Sequence, residues 1–178
     1  PFKELIAKEH KMADEPKVVV AEKKYALQET QQNEVVIAPY DAKNIYLMQI
    51  HNENKPWTAD SEPIVTLFNE YFGGGMNTIV FQELREARGL AYSASAWYNT
   101  PSVKEDPEWY YTNIISQNDK MMDCISVFNN ILDEMPQSEN AFNVAKQALT
   151  KSLESRRTTR FSVLYKYLSN QYLGIDYD

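Results

Sequence analysis

The stretch from Phe72 to Tyr98 concentrates the residue types and spacings that could do chemistry. It opens with Gly73, Gly74 and Gly75, three of the five glycines in the chain, and goes on to two long polar side chains, Arg85 and Tyr92. A glycine run ahead of a helix can cradle phosphate, because the free N–H groups of the first turn favour anions. A phosphate loop, however, follows a strand and carries Gly-Lys-Ser/Thr, or a further Gly in the case of a dinucleotide turn. Here the run follows a helical pattern, no Lys succeeds it, and Thr78 stands where the third spaced Gly would be. The run is not a nucleotide loop.

Metal and nucleophile chemistry find no better footing. The chain has two histidines, His10 and His51, and neither has a second His four residues on. His51-Asn52-Glu53 imitates the first half of a zinc deaminase signature, but the paired cysteines it requires are missing. A catalytic zinc takes about three protein ligands, and no spacing here assembles them. Both histidines read as surface or strand-end residues, so no metal site is expected in this chain. Ser93 and Ser95 sit on a strand pattern without a nearby His, and Cys124, the sole cysteine, falls on the apolar face of a helical pattern. With one cysteine there is no internal disulfide.

The elements that must position Arg85 and Tyr92 are legible. Each Gly in a helix interior costs about 1 kcal/mol against Ala, so the three together end the helix before them. Met76 to Arg88 then shows a helical pattern with Val80, Leu84 and Ala87 on one face, Asn77 as the expected N-cap and Gly89 as the left-handed stop. Leu90 to Tyr98 alternates in the period of a strand. The stretch thus reads helix end, glycine turn, helix, glycine turn, strand. From periodicity alone Arg85 pairs with Glu86 or another carboxylate, and Tyr92 is a core aromatic with a satisfied hydroxyl.

Around this stretch, Phe2, Leu5, Ile6 and Glu9 fit a short amphipathic helix ending before Ala13-Asp14-Glu15-Pro16, and Val18 to Val20 reads as an extended entry. Val35 to Ala38 and Asn44 to His51 read as strands, the second with both faces largely covered, since apolar residues fall on both sides of its alternation. Pro63 fits the first turn of a helix carrying Ile64, Leu67, Phe68, Tyr71 and Phe72. Glu108 to Gln117 is a second strand that should pair antiparallel with Leu90 to Tyr98. Trp97, Tyr98, Trp109, Tyr110 and Tyr111 on these two strands either pack across them or edge a surface that receives an extended peptide. The last third is helical: Asn118 or Asp119 caps a helix with Ile125, Phe128, Leu132 and Met135, Ser138 caps a second, and Phe161 to Tyr172 marks a third ended by Gly174. Strands and helices in groups indicate an α+β fold, a mostly antiparallel sheet covered on one face by helices.

Bulk properties narrow the partners. Eighteen basic against 25 acidic side chains give a net charge of −7, which disfavours nucleic acid and anionic membrane surfaces. Arg156, Arg157 and Arg160 form one local basic spot, read as a solvated or salt-bridged helix end. No apolar run reaches the ~18 residues needed to span a bilayer, and the charged start PFKELIAKEHKM is no signal peptide. A soluble protein is expected, with the compartment itself open.

The motif in full is Gly73-Gly74-Gly75-Met76, then Phe81-Gln82-Glu83-Leu84-Arg85-Glu86, then Gly89-Leu90-Ala91-Tyr92-Ser93. It resembles the signature of the non-zinc, C-terminal-type domain of the pitrilysin/insulinase family of inverted-zincin peptidases, which includes the mitochondrial processing peptidases. Ile79 and Val80 depart from the Arg and Leu usual there. The resemblance implies residues 1–33 as a leading helix and linker, and 34–178 as one substrate-embracing domain, a fragment truncated at its C-terminus. It implies no cofactor in this chain, with zinc and a His-x-x-Glu-His helix in a homologous partner domain, fused or separate. Arg85 and Tyr92 would then contact the substrate carbonyl and oxyanion of a peptide, in a chain inactive alone. The other implied role is a non-catalytic scaffold or peptide-binding subunit of the same fold.

Overall fold

The computed structural model describes residues 1–11, 17–18, 20–21, 23 and 25–176. Three strands build its sheet: β1 (Asn44–His51), β2 (Ala91–Asn99) and β3 (Trp109–Gln117), all antiparallel, in the spatial order β1-β3-β2. Residues 100–108 join β2 to β3 as a hairpin that sets Ala94 opposite Ile114 and Trp97 opposite Tyr111. β1 lies on the far side of β3, with Leu47 opposite Ile114. The helices are α1 (Phe2–Glu9), α2 (Glu62–Phe72), α3 (Ile79–Phe81, continuing as a π-helical turn over Gln82–Glu86), α4 (Met121–Asp133), α5 (Glu139–Ser155) and α6 (Arg160–Leu173).

Strand alternation decides where the core sits. Ala94, Ala96 and Ile114 share the face turned to the helices and are buried there with Phe72, Val80, Leu84, Cys124 and Phe128. Two alanines on β2 leave room for helices to approach closely, and the large side chains of α2 and α4 fill it. Burying a side chain such as Phe72 or Phe128 contributes about 1.5–3 kcal/mol. This is the α+β arrangement with helices over one sheet face that the pattern of elements predicts.

α2 organises the assembly. Pro63 sits in its first turn, and Phe68 stacks on Phe72 at 4.9 Å between ring centroids. Tyr71 donates its hydroxyl to the Pro136 carbonyl (2.7 Å) and accepts from the Ser138 N–H (3.1 Å), which fixes the α4–α5 link. Asn69 pairs its side-chain amide with the backbone of Tyr98, donating to its carbonyl and accepting from its N–H, both at 2.8 Å. Gly73 then accepts from the Ala96 N–H at 3.1 Å. Asn69 and Gly73 together stand where another strand would pair with the outer edge of β2. At Gly73 a Cβ would come within 2.0 Å of the Ala96 oxygen, so only glycine fits.

The later helices keep their local signals. Ser138 caps α5 by accepting from the Ala141 N–H, Thr159 and Ser162 form a capping box on α6, and Gly174 ends it at φ +68°. At the other end of the sheet Asn52, buried, accepts from Asn54, donates its side-chain amide to the Gln28 carbonyl and its N–H to Thr30. Glu108 is buried too, accepting from the Ser61 hydroxyl (2.8 Å) with Lys55 at 3.5 Å.

Several sequence expectations need correction. Val35 to Ala38 is not a strand: the segment is exposed and pairs with nothing among the described residues. β1 has the expected limits but not the expected cover, since Tyr46, Met48 and Ile50 are exposed on the face away from the helices. The helix after the glycines starts at Ile79 behind Thr78, not behind Asn77, because Thr78 turns back to the Gly75 carbonyl through its own hydroxyl at 2.6 Å. Lys120 precedes α4 instead of Asn118 or Asp119, and Ile131, not Leu132, is the buried residue near its end. α1 forms over Phe2–Glu9 but buries nothing. The expected break at Ala13–Pro16 lies outside the described residues, as does Val19.

Gly73→Ala should destabilise the fold by about 3 kcal/mol or more, since a backbone oxygen must move. Gly75→Ala, with nothing within 4 Å of the added Cβ, should cost less than about 1 kcal/mol; urea denaturation of the two variants compares them. Burial also pushes the hydroxyls of Tyr98 and Tyr110 above the ordinary 10.0; the nearby Glu108 carboxylate adds to this at Tyr98, and a hydrogen bond from Thr112 opposes it at Tyr110. The unfolded chain therefore releases these protons more readily. Their contribution is intact below about pH 10 and is lost as pH rises through the folded values, which denaturation between pH 8 and 11 would show.

Candidate functional site

The geometry around Arg85 and Tyr92 is built from three irregular features in succession. First, the helix of α3 widens: the Ala87 N–H reaches the Gln82 carbonyl, five residues back, at 2.8 Å. Such π turns are rare and are frequent at functional sites. Second, the helix stops in a left-handed αL cap. Gly89 takes φ +60°, its N–H donates to the Arg85 carbonyl (3.0 Å), and the Leu90 N–H donates to the Leu84 carbonyl (2.9 Å). Third, β2 begins with a bulge: Ala91 pairs with Ser116 and Ser93 with Ile115, so Tyr92 is the extra residue between them.

The bulge decides where Tyr92 goes. In an unbroken strand it would share the face of Ala94 and Ala96 and point into the core. With one residue inserted, Ala91 is buried in its place and Tyr92 is 75% exposed. A bulge that re-aims a side chain is a recurrent device beside functional sites. Tyr92 is therefore not the core aromatic that periodicity alone suggests.

Arg85 stands on the π turn with its side chain 47% exposed. Its guanidinium carbon lies 4.9 Å from the Phe81 ring centroid, a cation–π contact, and its Nε is 3.8 Å from a Glu86 oxygen. That exposed pair is worth about 0–1 kcal/mol. The tight pair of this helix is the next one along, Arg88 on Glu83 at 2.6 Å. Gln82 donates to the Met76 carbonyl and holds the turn after the glycines. Lys120 and Ser116 donate to the carbonyls of Gly89 and Leu90. The connection between Arg85 and Tyr92 is thus pinned from α4 and β3 as well as from within.

The other sequence candidates are placed elsewhere. Trp97 and Trp109 both meet Tyr111 edge-on, at 5.6 and 5.9 Å, and Tyr98 lies opposite Tyr110. The aromatic group therefore packs across the strands. Strand addition along its β2 edge is blocked, because Asn69 and Gly73 already occupy that edge. His51, at the end of β1, lies 3.5 Å from Glu53 and is half-exposed. Cys124 is buried in the core, as its helical position predicts. Among the described residues no group of three or more His, Cys, Asp or Glu side chains could hold a metal ion. No described helix is long and apolar enough to cross a membrane. Sequence reasoning missed the structural roles of Asn69 and Asn52, and only the position of Asn69 one turn before the glycines could have pointed to the first.

The sequence profile of the peptidase M16 inactive domain matches residues 2–149. The chain belongs to that family. It is the non-zinc domain of the pitrilysin-type peptidases, as the motif from Gly73 to Ser93 implies. Among curated proteins none matches the sequence significantly. Among solved structures, the crystal structure of a peptidase M16 inactive domain from Pseudomonas fluorescens is similar, with a TM-score of 0.61 at 17% identity over 78% of this chain. At that identity the likeness speaks for the fold alone. The chain spans about a third of that protein's length, 32%.

Tyr92→Ala should leave stability within about 0.5 kcal/mol of the parent, as for exposed residues generally. Ala91→Tyr should destabilise by more than about 2 kcal/mol through overpacking. Equal effects in thermal melts would return Tyr92 to the core.

Proposed function

We propose that this M16 inactive domain closes over the active site of a zinc-bearing homologous domain and supplies Arg85 and Tyr92 to a bound peptide. The observation that carries the reading is the bulge at the start of β2, which turns Tyr92 out to solvent directly after the turn that holds Arg85. A scaffold has no use for an ejected tyrosine at a pinned strand start.

The chemistry assigned to this chain is electrostatic. Hydrolysis of a peptide bond builds negative charge on the scissile carbonyl oxygen. The Tyr92 hydroxyl donates to that oxygen, and one aimed donor is worth about 3 kcal/mol of barrier. Arg85 offers a planar charged fork to substrate carbonyls, each charge-assisted bond contributing about 1.5–3 kcal/mol. The Phe81 ring beneath the guanidinium restricts its rotamers and leaves the fork's outer edge for the ligand. The hydrolytic metal, which activates the attacking water, belongs in this reading to the partner domain. Residues 34–178 form the embracing unit, preceded by a leading helix and linker.

With the partner domain present, Tyr92→Phe should lower kcat by roughly 10²-fold with KM and bound zinc little changed, measured by peptide cleavage and metal analysis. An unchanged rate removes Tyr92 from the site. The isolated chain should bind no zinc at unit ratio and cleave no peptide; stoichiometric metal in it would overturn the division of labour.

A further inference from the structure

Ser116 and Lys120 are unexpected residues where they stand. Ser116 lies on the helix-facing side of the central strand β3, in step with Thr112 and Ile114, and is 1% exposed. A hydroxyl buried there costs stability unless it is hydrogen-bonded. It donates to the Leu90 carbonyl at 2.6 Å, 26 residues away in sequence. Lys120 holds the N-cap position of α4 without making a capping bond, and puts a cation at the helix end whose dipole favours anions. Asn118 and Asp119, both better caps, immediately precede it. Its ammonium reaches instead to the Gly89 carbonyl at 3.2 Å. Two side chains that do little for their own elements thus end on consecutive carbonyls of one link. That link joins the left-handed cap after Arg85 to the bulge that carries Tyr92.

The register of β2 is decided at this link. Ala91 lies opposite Ser116, and Ser93 opposite Ile115. A regular ladder running back from Ser93 would put Tyr92 opposite Ser116 instead, and a one-residue slip exchanges the two faces. It would also carry the Leu90 carbonyl about 3.3 Å along the strand, away from the Ser116 hydroxyl. The bond from Ser116 therefore belongs to the bulged register alone. β3 is a firm anchor for it, since Ser116 is also paired with Ile45 of β1. Lys120 adds a tie one residue earlier, from a backbone turn closed on the Gln117 carbonyl. Core space sized for Ala91 does not take a tyrosine. A strand start freed of both bonds would then neither slip nor stay aimed; it would fray.

Resting on the assignment of Tyr92 to the scissile carbonyl, we infer that Ser116 and Lys120 are positioning residues for its hydroxyl. They fix the Gly89–Leu90 link, and through it the direction in which the bulge presents Tyr92. Neither touches the peptide. A donor held in place stabilises a transition state better than one that must first be ordered. Loss of either tie therefore acts on the chemical step and not on peptide binding.

The test measures cleavage of an internally quenched peptide by this chain together with its zinc-bearing partner domain. Ser116→Ala should lower kcat by about tenfold and Lys120→Met by about threefold, each with KM within about twofold. Lys120→Arg, which keeps a charged donor, should recover most of the rate. In a Tyr92→Phe background the first two substitutions should cost no more than about twofold, because the hydroxyl they aim is gone. Equal losses in both backgrounds would mark a general structural effect and overturn the assignment. Parent-like kcat in Ser116→Ala and Lys120→Met, with Tyr92→Phe slow, would overturn it and leave the function of Tyr92 standing. Tyr92→Phe at the parent's rate would remove both. Circular dichroism checks the fold of each variant; should Ser116→Ala unfold, Lys120→Met decides, since its bond lies at the surface.

Discussion

The fold hangs on a close approach of two backbones, the Gly73 carbonyl accepting from the Ala96 N–H with no side chain between them. The contact needs glycine at the helix end and a small residue on the strand, and it locks α2 against the edge of β2 at one register. Asn69, one turn earlier, extends the lock by imitating a strand residue toward Tyr98. Everything between these two anchors, residues 74 to 95, is a closed excursion whose ends are fixed. A π turn, a left-handed glycine and a bulge can persist inside it because the surroundings over-determine the path.

Within that excursion the glycine turn offers an anion few free donors. The Gly73 and Gly74 N–H groups both donate to the Asn69 carbonyl, and the Thr78 N–H donates to the Gly75 carbonyl. Thr78 turns its hydroxyl onto the Gly75 carbonyl, and Gln82 donates to Met76. The turn's polar groups are thus partly satisfied from within. The rigidity passes instead to the helix that follows, and from its left-handed end at Gly89 to Tyr92. Preorganisation of this kind is what an aimed donor requires, since a hydroxyl that must first be ordered contributes less to a transition state.

What could be read in the sequence was local. Gly89 and Gly174 end their helices in the left-handed conformation, Ser138 caps α5, and the limits of β1 fall at Asn44 and His51 as its alternation indicates. What could not be read depends on partners distant in sequence. Val35 to Ala38 has the composition of a strand, but strand propensity measures packing on neighbours, and among the described residues it pairs with none. Tyr46, Met48 and Ile50 look like residues of a covered face, yet cover comes from other elements. The bulge at Tyr92 defeats period-two reasoning by one residue, and that one residue moves the side chain from core to solvent. The motif around Arg85 was visible as a resemblance, while its geometry was not.

One last property follows from the way the sheet ends. The outer edge of β2 is occupied, whereas β1 has no partner on its outer side among the described residues. A sheet with two open edges can stack copy on copy into a fibre. One open edge lets two copies meet at most once, β1 against β1 about a two-fold axis, and the growth stops there. The asparagine and glycine that fasten α2 thereby also close the β2 edge to strand addition.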